Sequence, residues 1–72
     1  MVDNQKAVDD LTKAISLNSR FFRAYFARGT SHKLLGNREQ AIADYRKALE
    51  GNLPEADQFI IRGELNSLGA GP

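Results

Sequence analysis

Cysteine is absent from the 72 residues, which removes disulfide staples and thiolate metal sites together. A single histidine, His32, leaves no second imidazole for a metal site, so no metal or other cofactor is expected. An excess of one charge is also lacking: the net value of +1 argues against a general polyanion binder and predicts no nucleic-acid partner. Long apolar runs are missing too, so no membrane span or membrane partner is expected. Met1 to Leu11 carries Asp3, Asp9 and Asp10 and does not read as a secretory leader. These absences predict a soluble chain, cytoplasmic by default. Strands are unsupported as well, because no two-residue alternation of apolar and polar side chains is sustained.

What the chain does have is a repeat. The shift that lays Ala7 on Ala41 also lays Val8 on Ile42, Asp10 on Asp44, Ala14 on Ala48 and Ile15 on Leu49. The same shift carries Tyr25 onto Phe59, Arg28 onto Arg62 and Gly29 onto Gly63. Both stretches read as helix. Ala41, Ile42, Tyr45, Ala48 and Leu49 recur at steps of three and four, and Ala7, Val8, Leu11, Ala14 and Ile15 repeat that stripe.

Helix signals set the boundaries. Asp3 caps the first helix, and Asn37 with Gln40 offers a capping box to the third. Gly36 suits a left-handed helix end, Gly51-Asn52 stops the third helix, and Pro54 suits the first turn of the next. The fold class is therefore all-α, with antiparallel helices over 3–17, 21–35, 38–50 and 55–68 in one domain spanning 1–68. In the last helix Phe59, Ile60, Gly63 and Leu65 or Leu68 are expected to face inward, with 69–72 a flexible tail.

This pattern resembles the tetratricopeptide repeat, whose unit is a pair of antiparallel helices in about 34 residues. Tyr25 stands where that family has its first aromatic, Gly29 at its glycine and His32 at its tyrosine. Ala41, Tyr45 and Ala48 match its second helix, and Pro54 arrives one position late. Arg28 and Arg62 replace the leucine. The framing is offset by half a unit: a second helix (Ala7, Leu11, Ala14), one complete repeat, then a first helix (Phe59, Gly63). Of these, Ala7, Leu11, Ala14, Tyr25, Gly29, His32, Ala41, Tyr45, Ala48, Phe59 and Gly63 are assigned to packing between repeats.

The resemblance implies a non-catalytic module that stacks into a solenoid and binds a protein or peptide along a concave face. On the second helix that face reads Arg23, Phe26, Thr30, Lys33 and Leu34; on the fourth it reads Asp57, Ile60, Glu64 and Ser67. Phe26 and Ile60 either anchor a partner or touch each other between the helices. A lysine and arginine clamp for acidic chaperone tails, known in part of the family, is not supported, since Ala27 stands where an arginine belongs. So few units leave apolar faces open, which predicts either a segment of a longer solenoid or a homo-oligomer.

Other chemistry finds simpler explanations. Asp9 and Asp10 diverge by about 100° on a helix and cannot face one another; Asp9 is placed to pair with Lys13. The mixture of basic and aromatic residues from Arg20 to Arg28 resembles a single-strand platform. It equally reads as a packing stripe of Phe22, Tyr25 and Gly29 flanked by solvated arginines, and the near-zero net charge favours that reading.

Overall fold

The computed structural model describes residues 3–71. Four helices follow one another: α1 (Asn4–Leu17), α2 (Phe22–Leu34), α3 (Arg38–Ala48) and α4 (Glu55–Ser67). Among the described residues there is no strand. Among the described residues, no helix is long and apolar enough to cross a membrane.

Local chemistry explains most of the ends. Asp3 closes the start of α1, its carboxylate accepting from the Lys6 N–H at 3.0 Å. At the end of α2, Gly36 takes a φ of +82°, and the Asn37 N–H reaches back to the His32 carbonyl at 2.8 Å. That left-handed closure satisfies carbonyls which the last turn would otherwise strand. α4 ends the same way: Gly69 has a φ of +79° and the Ala70 N–H donates to the Leu65 carbonyl. Gly69 and Ala70, expected as loose tail, thus form a helix cap, and Arg46 donates to the Ala70 carbonyl; Pro72 lies outside the described residues.

Three local expectations are corrected. Asn37 makes no side-chain bond to the start of α3; its amide lies 3.2 Å from the His32 Nδ1 instead. Pro54 is the residue before α4, in extended backbone, rather than inside its first turn. Asp9 accepts from the Gln5 amide at 3.1 Å and not from Lys13.

The period also differs between the two kinds of helix. α1 begins at Asn4 and α3 at Arg38, the same interval that separates Ala7 from Ala41. α4 starts, ends and closes on its glycine one position short of that interval after α2, because Pro54 fixes the start of α4 immediately after itself. The Phe59–Arg62–Gly63 pattern therefore lies one position further into α4 than Tyr25–Arg28–Gly29 does in α2.

α2 is the centre of the stack, packing most extensively on α3 and then on α1. The core gathers Tyr25, Ala41, Ile42, Tyr45, Ala48, Ile61 and Leu65. Gly29 permits the close approach of α2 and α3, since a Cβ there would stand 3.0 Å from the Tyr45 ring and 3.3 Å from the Asp44 Cβ. On the other side, Val8 is buried and Ile15 packs against the core.

α4 presents a different face to α3 from the one expected. Ile61 and Leu65 are buried and Leu68 is half-buried, an i, i+4, i+7 stripe. Phe59 is 80 % exposed, and no atom lies within 4 Å of the place where a Gly63 Cβ would be. Their expected packing is not made by any described residue, because α3 already takes the opposite face of α4. Ala7, Leu11 and Ala14 are half-buried on α1.

Candidate interaction surface

Two ion pairs join α2 to α4. Arg23 Nη2 lies 3.1 Å from Asp57 Oδ2, and the Lys33 ammonium bonds the Glu64 carboxylate. Arg23 and Lys33 stand near opposite ends of α2, so the two contacts brace the helices at separated points. The Lys33 pKa is raised, first by its hydrogen bond to Glu64 and further by the attraction between the two charges. A basic strip and an acidic strip were expected as separate walls. In the folded chain four of those charges neutralise each other in pairs.

Between the two pairs the α2 surface carries Phe26 and Thr30, and Arg23, Phe26, Ala27 and Thr30 line a shallow open depression. Its floor rests on Tyr45. The Phe26 and Tyr45 ring centroids are 6.2 Å apart, and Thr30 Oγ1 lies 2.9 Å from the Tyr45 hydroxyl. Tyr45 is fully buried, and burial, its leading cause, pushes the phenol pKa up. Phe26 is half-buried, whereas Ile60 is 48 % and Leu34 62 % exposed. The nine residues of the expected face thus divide. Arg23, Lys33, Asp57 and Glu64 are engaged in ion pairs, Phe26 and Thr30 rest on Tyr45, and Leu34, Ile60 and Ser67 remain open.

A further polar cluster was not anticipated. Arg28 grips Asp44 of α3 with two nitrogens, Nε to Oδ2 at 2.8 Å and Nη2 to Oδ1 at 2.7 Å, and gives Nη1 to Thr12 of α1 at 3.2 Å. One side chain therefore ties three helices. The hydrogen bond to Asp44 is the main cause that raises the Arg28 pKa. Solvation is expected of an arginine flanking a packing stripe, yet the Arg28 side chain is only 20 % exposed. The available signal was Asp44 itself, a carboxylate beside Tyr45 and three positions from Ala41 on the buried stripe.

His32 Nε2 stands 3.9 Å from Asp44 Oδ2. Among the described residues no group of three His, Cys, Asp or Glu side chains is arranged to hold a metal ion. The basic and aromatic mixture before Gly29 is largely used in packing: Phe22 and Tyr25 turn inward, Arg23 and Arg28 take carboxylates, and Arg20 lies 5.8 Å from the Phe22 ring centroid.

Comparison with known proteins agrees with this architecture. The tetratricopeptide-repeat pattern matches residues 22–50, the α2–α3 hairpin with its flanks. A protein SGT1 homolog from Bos taurus is 38 % identical over 60 residues, which cover 83 % of this chain and 18 % of the relative. The chain thus spans less than a fifth of that relative's length. No solved structure matches.

Proposed function

Because the chain belongs to the tetratricopeptide-repeat family, we propose that it is a non-catalytic protein-interaction module. In this reading a peptide or partner helix lies along the α2–α4 side, anchored on Phe26, Ile60 and Leu34 and bordered by Thr30. The observation that carries it is the pairing of Arg23 with Asp57 and of Lys33 with Glu64. With those charges satisfied inside the chain, recognition falls to the apolar side chains left open between and beside them. The preferred ligand is accordingly a segment with two or three apolar anchors at helical or extended spacing, rather than an acidic tail.

The test is selection of a random peptide library on the immobilised chain, followed by titration of the enriched peptides against variants. Ile60→Glu and Leu34→Glu change exposed residues and leave the Tyr45 contacts in place. Apolar-anchored peptides are expected, with affinity reduced about tenfold or more by either change, the size of one lost anchor. Peptides that bind both variants as well as the parent chain would overturn the assignment of this face.

A further inference from the structure

We propose that a second copy of this chain docks head to tail, its α1 seated on the outward face of α4. The pattern for the contact is already present inside the molecule. α2 meets α3 through Tyr25, Arg28 and Gly29 on one helix and Ala41, Asp44, Tyr45 and Ala48 on the other. Gly29 lets the helices approach, and Arg28 takes Asp44 at their border.

Both halves of this contact occur a second time, one exposed and the other partly open. α4 repeats the aromatic-x-x-Arg-Gly order as Phe59, Arg62 and Gly63, all exposed. α1 repeats the other half, at the offset that lays Ala7 on Ala41, as Ala7, Asp10, Leu11 and Ala14. Asp10 is exposed and the three apolar members are half-buried. The space over Gly63 is open, where that over Gly29 is filled by Tyr45 and Asp44. Charge complementarity sets the register: Arg62 of one copy faces Asp10 of the next, as Arg28 faces Asp44 within a copy.

The interface joins two different surfaces, so it is heterologous and does not close on itself after two copies. Each copy extends the stack by its own four helices. Phe59, the one aromatic residue of α4 and 80 % exposed, becomes covered in the process.

Sedimentation velocity from micromolar to millimolar concentration tests the idea on the whole chain. The expected result is a weight-average mass that climbs past that of a dimer. Asp10→Arg and Arg62→Asp alter exposed residues, and circular dichroism checks that each variant stays helical. Either one alone should weaken association about tenfold or more, because like charges then meet at the interface. Mixing the two variants restores opposite charges at every junction and should restore association, as should the double variant. A monomer at all concentrations, a closed dimer, or association indifferent to these charges overturns the proposal. Binding of peptides is read separately through Leu34→Glu, which lies on α2 and leaves both α1 and the Phe59–Arg62–Gly63 strip unchanged.

Discussion

Arg28 and Asp44 form a two-nitrogen, two-oxygen clasp at 2.7 and 2.8 Å across the α2–α3 contact. The position that holds a leucine in the resembled family holds a guanidinium here, and a carboxylate on the facing helix receives it. Such a pair fixes register, because a planar fork accepts a carboxylate in few orientations.

Removal of one partner should therefore cost more than the pair contributes on balance. Asp44→Ala leaves the guanidinium largely covered, with the Thr12 hydroxyl and the Tyr25 ring, 5.7 Å away, as its remaining partners. A loss of roughly 2 kcal/mol is expected in urea unfolding. Exchange of both residues for apolar ones, Arg28→Leu with Asp44→Ala, should recover much of it.

Gly29 and Gly63 should respond in opposite directions to alanine. At Gly29 the new methyl meets the Tyr45 ring at 3.0 Å, and neither Tyr45 nor Asp44 has room to withdraw. Overpacking of about 1–3 kcal/mol outweighs the helix-propensity gain of about 1 kcal/mol, so Gly29→Ala lowers the melting temperature. Gly63→Ala meets nothing and keeps the propensity gain, raising it. Equal effects at the two positions would contradict the difference in their surroundings.

Gly36→Ala should destabilise although a Cβ there would touch nothing, since its φ of +82° is strained for any L side chain. The expected loss is about 1 kcal/mol. Gly36→Asn should lose less, because asparagine tolerates that conformation better. Chemical denaturation of both variants decides the order.

Stability should decline at high pH. Folding raises the pKa of Tyr45 above 10.0, chiefly by burial, and that of Lys33 above 10.5, chiefly by the bond to Glu64. Each group therefore binds its proton more tightly when folded. The contribution is complete below the unfolded pKa and is lost as pH rises through the folded one. Unfolding midpoints are expected to fall from about pH 10 upward. Tyr45→Phe removes the phenol and should flatten that decline, even though it also forfeits the Thr30 contact.

Residue order alone yielded four helices, the caps at Asp3 and Gly36, and the stripe of Ala41, Tyr45 and Ala48. These follow from periodicity and from backbone rules that act within one turn of chain. Leu34 and Ile60 are open, although periodicity places Ile60 inward together with Phe59 and Gly63. Contacts between helices were less legible. That Arg28 would be held by Asp44, and that Arg23 and Lys33 would be neutralised by Asp57 and Glu64, depends on which helices become neighbours and at what rotation. The same dependence misled the reading of α4, where Phe59 and Gly63 copy a packing pattern yet face outward while Ile61 turns in. Periodicity shows that a helix has an apolar face; the neighbour that arrives selects which face is buried, because burial is a property of pairs of surfaces.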